Sequence, residues 1–95
     1  MRNLTERQLD TLIAIVAHHR AYNSPVSSTK LTRFTKTQVA VMTSHLCRLV
    51  QYRFIQEKKT GFVPTIDGET FAITCRYVGE RNFGRTYLAM YAPAA

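Results

Sequence analysis

Leu9, Leu12, Ile13 and Val16 recur at the spacing that gathers side chains on one side of a helix. The residues just before them, Leu4-Thr5-Glu6-Arg7-Gln8-Leu9, form a start signal. Thr5 can accept the amide hydrogen of Gln8, Gln8 can reach back to Thr5, and Leu4 can pack on Leu9. Asn23-Ser24-Pro25 stops the pattern, because the residue before a proline resists helical dihedrals, so a first helix ending near Tyr22 is predicted. Ser27 or Ser28 can cap a short second helix that carries Leu31 and Phe34 on one side. The start grammar then returns in Phe34-Thr35-Lys36-Thr37-Gln38-Val39, which predicts a third helix opening at a Thr35 cap. Val39, Met42, Leu46, Leu49 and Val50 make its expected buried stripe, and Thr37, Gln38, Val41, Ser44, His45 and Arg48 its outward side.

From Phe54 onward the period shortens to that of a strand, with Gly61, Asp67-Gly68, Gly79 and Gly84 as turn markers. A strand is predicted over 54–58, and Pro64 confines any strand over 62–66 to an edge. Phe71, Ile73, Cys75 and Tyr77 alternate with Ala72, Thr74, Arg76 and Val78. A second run over 85–91 can fold back on them, giving a hairpin with its tip at 80–83. Tyr77, Tyr87 and Tyr91 then form either a core face beneath the helices, the expected role, or an exposed dimer seam. The expected fold is α+β, one domain over 1–95, with three helices in 1–53 and an antiparallel β wing or small sheet in 54–92. Three helices, the last two joined by a minimal turn, followed by a basic hairpin, is the order of a winged helix-turn-helix.

Charge gives this order a direction. The chain of 95 residues carries a formal net charge of +7, which favours a polyanionic partner. No acidic residue occurs between Asp10 and Glu57, while Arg20, Lys30, Arg33, Lys36, Arg48 and Arg53 all fall there. A helix fits the major groove of B-form DNA, and short polar side chains near its start can reach base edges. The predicted contacts to double-stranded DNA are therefore Lys36, Thr37, Gln38, Val41, Ser44, His45 and Arg48 on the third helix, with Lys30 and Arg33 before it. Lys58, Lys59, Arg81 and Arg85, near hairpin ends, would meet backbone or minor groove. The expected role is transcription regulation by a cytoplasmic, nucleoid-associated protein. Because one winged helix reads few base pairs, a homodimer is expected. The competing expectation is a protein-interaction module presenting the same basic face to an acidic protein partner, motivated by Val41 and the aromatic hairpin.

Other chemistries find little purchase. His45 and Cys47 stand two apart on a helix and diverge, as do His18 and His19, so no metal or other cofactor is expected. No nucleophile is paired with a base, no glycine-rich phosphate loop occurs, and the carboxylates are scattered, so no enzyme is expected. Cys47 and Cys75 form no CxxC pair and suit a reducing compartment. No run of apolar residues approaches a membrane span, and the start does not read as a targeting signal.

Leu4-Thr5, Arg7-Gln8, His18, Pro25, Leu31, His45-Leu46, Leu49 and Phe54-Ile55 together resemble the DNA-binding domain of LexA-type repressors. The resemblance implies a winged helix and a repressor function, with base-reading positions at Gln38, Ala40, Val41, Thr43 and Ser44. Two departures limit it. The family's glycine after the third helix is replaced by Arg53, which must either adopt a left-handed conformation or lengthen the helix. The family's self-cleaving, dimer-forming second domain has no counterpart in 57–95, so neither cleavage nor that mode of dimerisation is implied.

Overall fold

The Gln8 amide donates to Thr5 Oγ1 at 3.2 Å and the Thr5 amide donates to Gln8 Oε1 at 3.0 Å, so the expected capping box opens α1 (Glu6–Tyr22). The structure, a computed structural model, describes residues 4–74. Asn23, with φ of 51°, ends α1 in the left-handed region. Ser27 accepts from the Lys30 amide to open α2 (Ser28–Thr35), and α3 spans Val39–Gln51. A hairpin of β1 (Ile55–Lys58) and β2 (Gly61–Pro64) follows, and α4 (Ile66–Ala72) comes last among the described residues. Three N-terminal helices followed by an antiparallel two-stranded hairpin make an α+β array consistent with a winged helix-turn-helix topology.

Every residue from Thr11 to His18 is buried, more than one helical stripe could hide. The reason is the sequence Thr-Leu-Ile-Ala-Ile-Val-Ala-His, apolar all round, which needs neighbours on all sides. It has them: α1 packs against α2, α3, β2 and α4. Leu31, Met42, Leu46, Leu49 and Ala72 complete the core from those elements, with Phe54 and Ile55 from the turn into β1 and its first residue.

The hairpin pairs Ile55 with Pro64 and Lys58 with Gly61, which leaves Lys59-Thr60 as its turn. Phe62 also exchanges two backbone hydrogen bonds with Val26, at 2.8 and 3.0 Å, tying the hairpin to the segment between α1 and α2. Gly61 is required there, because a Cβ would lie 2.4 Å from the Val26 carbonyl oxygen. Pro64 ends β2 against Ile55, where a missing N–H costs least.

Two expectations are corrected here. The third helix opens at Val39, not at a Thr35 cap: the Thr35 hydroxyl donates back to the Leu31 carbonyl at 2.7 Å, and Lys36 turns left-handed with φ of 53°. Phe71 and Ala72, expected in a strand, lie in α4, which continues into a π-type turn at Ile73 and Thr74. Thr65 is the cause, since its hydroxyl accepts from the Gly68 amide at 3.0 Å and donates to the Arg53 carbonyl at 2.6 Å. The rest of that strand, its partner over 85–91 and the tip at 80–83 lie outside the described residues.

Arg53 takes the first of its two options, with φ of 61°. The Arg53 amide donates to the Val50 carbonyl at 2.9 Å and the Phe54 amide to the Leu49 carbonyl at 3.0 Å, the bonds of a Schellman turn. Its positive charge suits a helix C-terminus, but the side chain strains the left-handed backbone. Arg53→Gly is therefore expected to raise stability by about 0.5–1 kcal/mol, the relief of strain less the chain entropy of glycine, read as a higher urea midpoint. A lower midpoint would refute this account of the turn.

Candidate functional site

A three-residue connection, the left-handed Lys36 followed by Thr37 and Gln38, sets α3 against α2. Gln38 is the N-cap residue of α3, but its side chain makes no capping bond, so it remains exposed at the helix start. Met42, His45, Leu46 and Leu49 turn inward. Gln38, Ala40, Val41, Thr43, Ser44, Cys47, Arg48 and Gln51 are exposed on the other side.

This phase differs from the expected one. Val39 and Val50 were assigned to the buried stripe but are 73% and 41% exposed. Thr37 and His45 were expected to face outward and are buried. Thr37 is held by its neighbour: its hydroxyl donates to the Thr35 carbonyl at 3.3 Å, and its oxygen lies 2.9 Å from Thr35 Oγ1. His45 fills the seam between α3 and α1, with Nδ1 3.5 Å from Thr11 Oγ1. Val39, Cys47, Val50 and Gln51 are surface positions that the expected stripe does not mark. The spacing of Met42, His45, Leu46 and Leu49 would have revealed them had the imidazole been counted with the apolar residues.

Exposed cations lie on α3 and on the elements that pack against it. Lys30 and Arg33 are exposed on α2, Lys36 at the turn into α3, Arg48 on α3, and Lys58 and Lys59 at the hairpin tip. The Arg48 guanidinium carbon sits 5.9 Å from the centre of the ring of Tyr52, the C-cap residue of the same helix. Arg81 and Arg85 lie outside the described residues. On its hairpin side α3 borders an open groove of about 450 Å³, where Thr43, Cys47 and Val50 face Glu57, Phe62 and Ser28. On the far side of the α2–α3 turn, Arg7, Asp10, Lys36 and Thr37 line a smaller polar hollow of about 260 Å³. Among the described residues no cluster of three or more His, Cys, Asp or Glu could hold a metal ion. Among the same residues no helix is long and apolar enough to cross a membrane.

Burial holds the pKa of both inward histidines below the ordinary 6.5. For His18 the hydrogen bond between Nδ1 and the Ser24 carbonyl works the other way, and the charges of Lys30 and His19 add to the lowering. For His45 the charge of Arg7 adds to it. A depressed histidine pKa means that the unfolded chain takes up the proton first. The contribution of each group is complete above pH 6.5 and is lost as the pH falls below that value. The urea midpoint is expected to drop between pH 7.5 and pH 5.5, and His45→Gln to flatten part of that slope. An unchanged slope in the variant would remove His45 from the account.

No protein-family model matches the chain, and neither a curated protein nor a solved structure matches it significantly.

Proposed function

We propose that this chain binds double-stranded DNA, with α3 in the major groove and the β1–β2 hairpin as a wing on the backbone. The observation that carries the proposal is the outer face of α3, exposed among the described residues, together with the exposed cations Arg48 on α3, Lys36 at its approach, and Lys30, Arg33, Lys58 and Lys59 on or next to α2 and β1, the elements that pack against it. A helix of this width fits the groove, and cations at its margins meet phosphate oxygens on either side. Of the two hairpin ends expected from sequence, the one that carries Lys58 and Lys59 is the end of β1–β2, and the one at 80–83 lies outside the described residues.

Six cations set the scale of the test. If all six neutralise phosphates, log affinity falls against log salt with a slope of about −5. Raising salt from about 50 to about 200 mM then weakens binding roughly a thousandfold. A mobility shift that is insensitive to salt, or no shift on any duplex at low salt, would overturn the proposal. Within it, Arg48→Ala is expected to weaken binding to all sequences alike and to reduce the slope by about 1. Gln38→Ala is expected to relax sequence preference at nearly unchanged slope.

The regulatory part of the proposal is a non-enzymatic repressor, supported by the resemblance of the first three helices to LexA-type domains. Binding as a homodimer to a two-fold site would supply the base pairs that one helix cannot read. A second reading has its own observation. Val39, Val41 and Val50 expose apolar surface on α3, as the centre of a protein interface does. An acidic protein partner would match the same exposed cations. Recovery of a stoichiometric protein after nuclease treatment, with no duplex binding at low salt, would select that reading.

A further inference from the structure

The exposed first two turns of α3 hold Val39, Ala40, Val41, Thr43 and Ser44, without a charge among them. Val39 is 73% and Val41 39% exposed. The Thr43 hydroxyl donates back to the Val39 carbonyl at 3.0 Å, which commits its hydrogen to the helix and leaves its methyl group as the uncommitted branch. The part of the helix that would enter a groove first therefore presents methyl groups.

That surface can read little of guanine. The strongest major-groove contact to a G·C pair is a bidentate Arg or Lys on guanine, and neither residue occurs in these turns. Arg48 comes a turn later and lies against Tyr52. The feature of the groove that fits an apolar side chain is the 5-methyl group of thymine. Gln38, exposed at the helix start with no capping bond, is suited to the paired adenine, whose N6 and N7 match a carboxamide. The cations at the margins, Lys30, Arg33, Lys36 and Arg48, complement phosphates flanking such a site.

We infer that α3 reads thymine methyl groups, through Val39, Val41 and Thr43, with Gln38 on adenine, so that the target is an A·T-rich major groove. The inference rests on the DNA-binding proposal and assigns that site its base composition.

The probe is an alternating dA·dT duplex of 24 base pairs, compared with the same duplex in which deoxyuridine replaces every thymidine. The two differ only in the 5-methyl groups. Burial of one methyl is worth about a factor of four, so two or three buried methyls predict a preference of at least tenfold for the thymidine duplex. In the Val39→Ala/Val41→Ala double variant that preference is expected to shrink to about fourfold or less, what the remaining Thr43 contact supplies, with the salt slope unchanged, because neither residue meets a phosphate. Both side chains are exposed, and circular dichroism verifies the fold of the variant. Equal, salt-dependent binding of the two duplexes by the native chain would overturn the inference while leaving DNA binding intact. A preference that survives undiminished in the double variant would also overturn it, since the methyl effect would then act through duplex shape. Failure to bind either duplex, or any duplex of mixed sequence, at low salt would overturn both the inference and its premise.

Discussion

Gly68→Ala is expected to destabilise the domain by about 3 kcal/mol, although it adds a single methyl group to a helix and improves helix propensity. A Cβ at this position would lie 1.8 Å from the Phe54 carbonyl oxygen and 2.7 Å from the carbonyl carbon. Both atoms are backbone and cannot swing aside. The Phe54 carbonyl is engaged by the Thr65 amide at 3.0 Å, and the Phe54 ring is fully buried, stacked on Phe71 at 4.6 Å. Relief requires α4 to lift from the end of the Schellman turn, which breaks the stacking and the Thr65 bonds together. With an m-value of about 1 kcal/mol/M, the urea midpoint should fall by about 2–3 M. Ile66→Ala on the same helix, where the side chain is 86% exposed, should leave it nearly unchanged. A loss of less than about 0.5 M for Gly68→Ala would mean that α4 does not pack on Phe54 as described.

The same glycine shows why the second half of the chain was hard to read. Asp67-Gly68 has the composition of a turn, and Phe71, Ile73, Cys75 and Tyr77 alternate as a strand would. Yet Thr65, with Asp67 and Glu69 in the first turn that follows, is also a helix start, and in the fold it caps α4. Gly68 is there for close approach to another backbone, a requirement set by tertiary packing that local composition does not carry. Arg20 adds a long-range tie of the same kind, donating to Glu69 Oε1 at 3.1 and 2.9 Å. Half-exposed, that pair fixes orientation more than it adds stability.

The first half was legible where the signal is local. Thr5 with Gln8, Ser27 with the Lys30 amide, and the stop after Tyr22 all follow from side chains within a few residues of the backbone they cap. The second box failed although its letters are the same, because Thr35 still lies inside α2 and its hydroxyl is drawn to the Leu31 carbonyl. The phase of α3 failed at His45, a polar letter that the α1–α3 seam accommodates in neutral form. Of the expected contact positions, Gln38, Val41, Ser44, Arg48, Lys30, Arg33, Lys36, Lys58 and Lys59 are exposed. Thr37 and His45 are not, and the apolar Val39 takes a place in the exposed set that the sequence had given to the core.

Ser44→Glu is expected to reduce duplex binding at least a hundredfold without moving the urea midpoint by more than about 0.5 M. Ser44 is exposed on the outer face of α3, and the substitution puts a carboxylate where the floor and walls of the groove would be. Unfavourable juxtaposition of like charges costs several kcal/mol, far more than the loss of one hydroxyl contact. A change in net charge alone would give a different result. Thr70→Glu adds the same charge on α4, which packs against α1 and β2, and screening over roughly 8 Å at physiological salt confines its effect. Thr70→Glu should therefore cost less than about threefold. Equal losses for the two variants would mean that duplex affinity follows overall charge rather than the face of α3. A full loss for Thr70→Glu with none for Ser44→Glu would move the proposed DNA-binding surface from α3 to the surface around α4.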